Sequence, residues 1–288
     1  MTVTEALRAA SDRLSATSDT ARLDAEVLMA HALNCSRSDL LLRHMGDIAP
    51  DNFADLVVRR MTHEPVAYIT GAQEFYGRRF AVAPGVLIPR GDSETLIEAA
   101  LAACPAPRRV LDCGVGSGAL LLTILAERPG AGGFGMDVSP VAVEIAGQNA
   151  AALELDARAT ICSADWTRPG WSDGLGQFDL ILANPPYVEA EAALAPCVRA
   201  FEPAGALFAG AEGLDDYRVL VPQLPGLLAR GGVAMVEIGH AQADAVCAIA
   251  GPAGLTTVLH RDLAGRPRVL EMRPAQETAW QAPPASAK

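Results

Sequence analysis

Residues 110–118 decide the fold, and they read Val110-Leu111-Asp112-Cys113-Gly114-Val115-Gly116-Ser117-Gly118. The apolar start is typical of a buried strand, and the glycines after it permit a tight turn before a helical pattern begins at Ala119. Glycines in such a turn also let a ligand approach the backbone closely. This order predicts the first unit of a ligand-binding α/β fold, although the loop alone is a weak signal.

Strand and helix patterns alternate on both sides of this unit and continue almost to the end of the sequence. We predict strands at 110–112, 133–137, 159–162, 180–182, 233–237, 256–259 and 268–272, with helices at 119–127, 140–146 and 214–228. Such alternation is typical of a parallel sheet with helices on both faces, so the fold class is α/β and Rossmann-like. The irregular segment 188–213 is placed to wall or gate a site at the sheet edge.

Four parts follow from the patterns along the chain. Residues 1–65 predict a small helical domain, because apolar residues recur at helical spacing. Residues 66–90 predict a linker of short β runs with a hairpin around 77–79. Residues 91–274 carry the alternating pattern, and 275–288 is rich in Ala and Pro, which predicts a flexible tail. The helical domain is either a recognition domain or a stabilising cap.

A second motif ends the strand predicted at 180–182. Asn184-Pro185-Pro186-Tyr187 follows it directly, and the prolines cannot continue a central ladder. The Asn184 amide oxygen and the Pro185 carbonyl are two acceptors that suit an NH2 group, and Tyr187 adds a flat face for a planar amide or base. The turn therefore predicts an amino-group clamp, and the alternative is a plain strand-ending turn.

The cofactor is inferred from acids at neighbouring strand ends. Asp137 ends the second strand, where a carboxylate can accept both hydroxyls of a ribose. Asp112, directly before the glycine loop, could fix that loop or meet an ammonium group, whereas a pyrophosphate would make its charge costly. Asp165 and Trp166 follow the third strand and could contact an adenine. The loop also fits the dinucleotide pattern of a nicotinamide cofactor, but the clamp favours S-adenosylmethionine.

Composition excludes several classes of function. The net charge of −11 argues against phosphate-led binding to bare nucleic acid. No run of about 18 apolar residues is present and the N-terminus lacks a secretory signal, so we expect a cytoplasmic protein without a membrane span. The six cysteines and five histidines are scattered, which predicts reduced core cysteines and no metal site.

Taken together, these motifs resemble the HemK/PrmC family of protein-(glutamine-N5) methyltransferases over nearly the whole chain. The resemblance is carried by segments 23–28, 64–71, 74–77, 86–90 with Glu94, 184–187, and 202–203 with 213–214 and 217–218. It implies a class I S-adenosylmethionine-dependent methyltransferase domain behind a helical domain. The implied substrate is the glutamine of the Gly-Gly-Gln motif in class-1 peptide-chain release factors, gripped by the helical domain away from the reacting amide.

The resemblance also implies roles for single residues. Asn184 and Pro185 would be the catalytic residues and would hold the glutamine NH2, together with Pro186 and Tyr187 on the substrate. The implied cofactor residues are Gly114, Val115, Gly116, Ser117, Gly118, Asp137, Trp166 and Asn184. Two positions depart from the family pattern: Gly91 stands where proline is usual, and Val115 replaces a threonine. Both departures bear on affinity more than on activity.

Three alternatives remain open from the sequence. A glutamine methyltransferase acting on a ribosomal protein would use the same core motifs. An adenine-N6 nucleic-acid methyltransferase would suit the same clamp, but the acidic charge speaks against it. A non-catalytic docking protein would not need an intact glycine loop and clamp.

Overall fold

The computed structural model describes residues 1–275. The first part is helical, with α1 (Val3–Leu14), α2 (Ala21–Ala32), α3 (Arg37–Asp39) continuing as a π-helical turn (Leu40–His44), α4 (Phe53–Met61) and α5 (Val66–Thr70). The Thr2 hydroxyl caps α1 by accepting from the Glu5 N–H, and the Glu5 carboxylate accepts from the Thr2 N–H in return. These helices share a core of their own, which includes Leu7, Leu28 and Met29.

The predicted linker contains the hairpin, formed by β1 (Ala72–Phe75) and β2 (Arg78–Ala81). The strand-like expectation for 66–70 was wrong, because these residues form α5. Ile69 of α5 packs into the helical core, while Tyr68 packs with Val82 and Ile88 of the linker. Helix α5 therefore joins the two parts, and a left-handed Gly71 ends it before the hairpin begins.

The remainder alternates strands and helices. The elements are α6 (Glu94–Ala103), β3 (Arg109–Cys113), α7 (Ala119–Glu127), β4 (Gly132–Asp137), α8 (Pro140–Ala152), β5 (Ala159–Ser163), β6 (Phe178–Ala183), α9 (Pro196–Phe201), α10 (Asp215–Leu220), α11 (Leu224–Leu227), β7 (Leu228–Glu237), α12 (Ala243–Ala250), β8 (Leu255–Arg261) and β9 (Pro267–Pro274). A 3-10 turn, Gly91–Ser93, leads into α6. The predicted α/β class is confirmed.

The seven-stranded sheet has the order β5-β4-β3-β6-β7-β9-β8. Neighbours from β5 to β7 pair in parallel, and β9 runs antiparallel to β7 and β8. The chain moves outward from β3 to β5 and then returns to place β6 on the other side of β3. This reversal of strand order opens a crevice at the carboxyl ends of β3 and β6, which is where α/β sheets bind ligands.

Strand β6 is buried on both faces. Leu180, Ile181, Leu182 and Ala183 are all fully buried. Leu180 and Leu182 belong to the core under α6 and α7, and Ile181 and Ala183 belong to the core on the opposite face. A strand covered on both sides reads as a continuous apolar run, as the sequence predicted.

Some elements differ from the expectations. The single helix predicted at 214–228 is α10, a 3-10 turn and α11, because Pro222 and Pro225 interrupt the helical ladder. Helix α12 was not predicted, and the irregular segment 188–213 contains α9. Most of the predicted tail, residues 276–288, lies outside the described residues. Within 1–275, no helix combines the length and apolar character needed to span a bilayer.

Candidate active site

A cavity of about 390 Å³ lies at the carboxyl ends of the central strands. Its lining comes mainly from segments 85–90, 114–117, 137–139, 164–167 and 203–206, together with Asn184 and Pro186. Strand β1, the 3-10 turn before α6, and helices α7, α8 and α10 each add one or two residues. The crevice between β3 and β6 thus has side walls from the linker and from the segment after β6. Its volume falls within the range of small-molecule sites.

The glycine loop after β3 forms the floor of the cavity. Gly114, Gly116 and Gly118 have φ angles of +83°, +53° and +85°, a region that side chains disfavour. A Cβ on Gly114 would lie 3.3 Å from two ring atoms of Trp166. Glycine at 114 therefore lets the indole pack directly on the backbone of the loop.

Asp137 ties the loop to the next strand end. One carboxylate oxygen accepts from the Gly116 N–H at 3.0 Å, and the other accepts from the Ser139 N–H at 2.9 Å. Ser139 in turn caps α8 by accepting from the Ala142 N–H. Because a carboxylate offers about four lone-pair positions, Asp137 still has capacity to accept from a ligand.

Trp166 forms one side of the cavity and is held by a second acid. Its indole N–H donates to an Asp216 carboxylate oxygen at 3.2 Å, and burial raises the pKa of Asp216. Asp165 also lines the cavity, but one of its oxygens already accepts from the N–H and hydroxyl of Thr167. Both residues named from the sequence therefore lie at the cavity.

The turn after β6 is divided between the cavity and the protein interior. Asn184 and Pro186 line the cavity, and the half-buried Asn184 side chain makes no hydrogen bond within residues 1–275. The Tyr187 ring packs instead into the core on the face of the sheet opposite α6 and α7. Its hydroxyl lies 3.4 Å from a carboxylate oxygen of Glu237. Burial, together with the charge of Glu237, raises the pKa of Tyr187 to about 12.

The structure brings most of the predicted site residues to one cavity. Those that line it are Gly114, Val115, Gly116, Ser117, Asp137, Trp166, Asn184 and Pro186. Gly118, Pro185 and Tyr187 are outside the lining: Gly118 is at the start of α7, and the other two belong to the turn that presents Asn184. Their individual roles stay predictions.

Asp112 lies outside the cavity. The side chain is fully buried and is not part of the cavity lining; one oxygen accepts from the Leu121 N–H at 3.2 Å and the other has no partner in residues 1–275. Burial raises the pKa of this carboxyl well above its usual range. The sequence offered two roles for Asp112, and the contact with α7 supports the structural one.

Sequence reasoning missed two acids near the site. Glu237 ends β7, and it is buried beside the Asn184 turn. Glu202 follows α9 and accepts from the Ile88 N–H at 3.1 Å and from the Arg90 guanidinium at 2.5 Å. The signal for Glu237 was present in the sequence, because it ends an apolar strand as Asp137 does. For Glu202 nothing in the local pattern predicts its partners.

Metal-binding residues do not cluster in the described chain. Among residues 1–275, no three His, Cys, Asp or Glu side chains stand close enough to hold a metal ion.

Comparison with known proteins identifies the family. Residues 5–71 match the PrmC N-terminal domain and residues 91–208 match the methyltransferase small domain. The release factor glutamine methyltransferase of Cereibacter sphaeroides is 43% identical, over 95% of this chain and 99% of that protein. The one of Rhodospirillum rubrum is 42% identical, over 88% of this chain and 78% of that protein.

A solved structure shows the same fold. The hMettl16 catalytic domain, in complex with the MAT2A 3′UTR hairpin 1, matches with a TM-score of 0.52 at 12% identity, over 80% of this chain and 93% of that one. At that identity the likeness extends to the fold alone. The matches in sequence carry the assignment: the chain belongs to the PrmC family of release factor glutamine methyltransferases.

Proposed function

We propose that the protein transfers a methyl group from S-adenosylmethionine to the side-chain amide nitrogen (N5) of the glutamine in the Gly-Gly-Gln motif of class-1 peptide-chain release factors. The observation that carries this proposal is that Asn184 and the glycine loop line one cavity. A clamp that holds an amide can act in methyl transfer only if the methyl donor binds in the same cavity. Family membership supports the same reaction.

The residues around the cavity fit S-adenosylmethionine. At Gly114 and Gly116 the loop offers backbone without side-chain obstruction, and Asp137 can accept from ribose hydroxyls. The Trp166 ring gives a flat surface for an adenine, and the half-buried Asp216 fixes that ring. When bound, this cofactor supplies a methyl group that its positively charged sulfur makes electrophilic.

Asn184 and Pro185 would position the nucleophile. An amide nitrogen is a poor nucleophile because its lone pair is delocalised into the carbonyl. Two acceptors, the Asn184 amide oxygen and the Pro185 carbonyl, would hold both N–H groups and leave the lone pair free to point at the methyl carbon. The amide nitrogen would gain the methyl group as the methyl–sulfur bond breaks, and one amide hydrogen would then leave as a proton to water. Positioning and electrostatics, rather than a strong base, would supply the rate.

The helical domain would bind the release factor away from the reacting glutamine. Its core is separate from the cores of the sheet domain, and it exposes Leu42 and Ile48 by 80% and 83%. The match of residues 5–71 to the PrmC N-terminal domain supports this role. We therefore propose 1–65 as the recognition domain, 66–90 as the linker and 91–274 as the methyltransferase domain. A substrate that acts in translation termination also supports the cytoplasmic location expected from the sequence.

Mass spectrometry of the product tests the function. A purified class-1 release factor is incubated with the protein and S-adenosylmethionine, and the Gly-Gly-Gln peptide is expected to gain one methyl group on the glutamine. A release factor with Glu in place of that glutamine is the control and should gain none. Parallel reactions with ribosomal proteins and with nucleic acid test the two alternative substrates. A methyl group found in either of these, with an unmodified release factor, would overturn the proposal.

A further inference from the structure

A buried carboxylate lies next to the Asn184 turn. Ala183 of β6 pairs with Val236 of β7, so the next residues on these strands, Asn184 and Glu237, are neighbours at the sheet edge. Leu182 and Met235 face the same core. Because side chains alternate along a strand, Asn184 and Glu237, two positions further on, start from that same face of the sheet. Glu237 is 1% exposed, and one of its oxygens lies 3.4 Å from the Tyr187 hydroxyl. The strand end thus places a carboxylate directly behind the turn.

Several elements surround Glu237 with polar groups. Arg268 of β9 lies near it and pairs with Asp92, before α6, and with Asp262, after β8. The buried Ser93 hydroxyl faces the carboxylate from the 3-10 turn. The Tyr217 hydroxyl of α10 donates to the main-chain carbonyl of Glu237, not to its side chain. Tyr187 is therefore the phenol that reaches the carboxylate.

Hydrogen bonding in this cluster is incomplete. The second oxygen of Glu237 and the Nε of Arg268 are buried and have no hydrogen-bond partner within residues 1–275. A buried carboxylate that is only partly satisfied is costly to a fold, and such groups are concentrated at functional sites. Burial raises the pKa of Glu237 to about 7. The Tyr187 hydroxyl, by contrast, keeps its proton over the physiological range and remains a donor.

We propose that Glu237 is a positioning residue for methyl transfer: its carboxylate fixes the Tyr187 hydroxyl and, through that ring, the Asn184–Tyr187 turn that holds the substrate amide. This inference rests on the proposed function. Pro185 and Pro186 make the turn stiff, so anchoring Tyr187 at its end sets the direction of the Pro185 carbonyl and the Asn184 side chain. The apolar core on the face of the sheet opposite α6 and α7 holds the ring, and Glu237 is the one polar partner of its hydroxyl within residues 1–275.

Ionisation of Glu237 would then tune the reaction. A hydrogen bond to a charged acceptor is stronger than one to a neutral carboxylic acid, so the turn is held best when Glu237 is ionised. Turnover is expected to rise as the pH passes through about 7, where Glu237 loses its proton. Arg268 keeps its positive charge throughout this range, and Asp92 and Asp262 face Arg268 rather than Tyr187.

Kinetics of Glu237→Gln, Tyr187→Phe and the double variant test the inference. Both single variants remove the same long hydrogen bond of 3.4 Å, so kcat is expected to fall about threefold while the KM for S-adenosylmethionine stays unchanged. The double variant should be no slower than either single one, because the two groups act as a pair. The rise in turnover near pH 7 should disappear in Glu237→Gln. Multiplicative losses in the double variant, or an unchanged kcat, would refute the pairing.

Tyr76→Phe is the matched control. Tyr76, in the hairpin turn, also donates to a glutamate, Glu98 of α6, at 2.5 Å, but both residues are outside the cavity lining. Loss of that phenol is expected to leave kcat and its pH profile unchanged. Thermal melts of all four variants show whether each is folded, and both main substitutions keep nearly the native shape.

A second readout does not require any methyl acceptor. Carbon-13 NMR of the glutamate carboxyls, with the Glu237 signal assigned by its loss in Glu237→Gln, follows the ionisation of this side chain. In Tyr187→Phe the pKa of Glu237 should move upward, because the hydroxyl that favours the carboxylate is gone. An unchanged pKa would refute the contact. If the wild-type protein leaves release factors unmodified but this shift is present, the proposed substrate is wrong while the pairing stands.

Discussion

The carboxylate of Glu202 accepts from the guanidinium of Arg90, 112 residues earlier in the chain. Glu202 also accepts from the Ile88 N–H, and its side chain is only 1% exposed. Arg90 and Pro203, the residue after Glu202, both line the cavity. The contact therefore joins the linker to the segment that follows β6, and it makes these two parts of the chain one wall of the cavity.

Glu202→Gln should open this wall. The substitution keeps the size of the side chain but removes the charge that Arg90 pairs with, leaving a less favourable acceptor for both donors. We expect a loss of stability of about 2 kcal/mol and weaker binding of S-adenosylmethionine. Urea unfolding measures the first effect and calorimetry the second.

Glu212→Gln is the control for that substitution, since Glu212 pairs with Arg218 on the exposed surface of the same long segment. Surface pairs contribute about 0–1 kcal/mol, so this variant should behave like the wild type. Equal effects from the two substitutions would mean that the buried position of Glu202 is unimportant.

Asn184→Ala should separate catalysis from cofactor binding. Loss of one of the two proposed acceptors leaves the amide NH2 free to rotate, so kcat should fall by about a hundredfold. Calorimetry with S-adenosylmethionine should give nearly the wild-type affinity, because the glycine loop, Asp137 and Trp166 remain. Wild-type turnover in this variant would remove the clamp from the mechanism, and lost cofactor binding would make Asn184 a cofactor residue instead.

Sequence patterns predicted the parts of the fold that local physics determines. The apolar run before Asn184, the glycines of the loop and the capping Ser139 each act over a few residues, and the strands and helices around them formed where expected. Contacts between residues distant in sequence could not be predicted in this way. Glu202 meets Arg90, and Tyr187 meets Glu237, only because the sheet order brings those segments together. The side to which Tyr187 turns depends on the same packing.

Gly114→Ala should weaken cofactor binding by displacing Trp166. The new Cβ would be only 3.3 Å from the indole, and the backbone at φ +83° disfavours any side chain. The backbone strain alone costs about 1 kcal/mol. Gly77→Ala imposes similar strain at φ +70° in the hairpin turn, where a Cβ meets no atom within 4 Å. Calorimetry should show reduced affinity for S-adenosylmethionine in Gly114→Ala alone, and equal affinities would argue against the Trp166 contact.

The free energy of unfolding should fall as the pH rises from 4.5 to about 7, because Glu237 ionises at a higher pH in the folded protein. Its pKa is raised from 4.5 to about 7 in the folded protein, so the folded state binds a proton that the unfolded state has lost. The stabilising contribution of this proton is complete below pH 4.5 and is lost as the pH rises to 7. A shift of that size corresponds to a decrease on the order of 3 kcal/mol in the free energy of unfolding.

Glu237→Gln isolates that contribution, because glutamine does not titrate while every other acid, including the buried Asp112, is the same in both proteins. Urea unfolding at several pH values from 4.5 to 8 gives the free energy of unfolding of each protein. The wild type should lose stability relative to the variant across this window, and the difference should level off above it. A difference that stays constant with pH would mean that Glu237 has an ordinary pKa, and that the charge behind the Asn184 turn is present throughout.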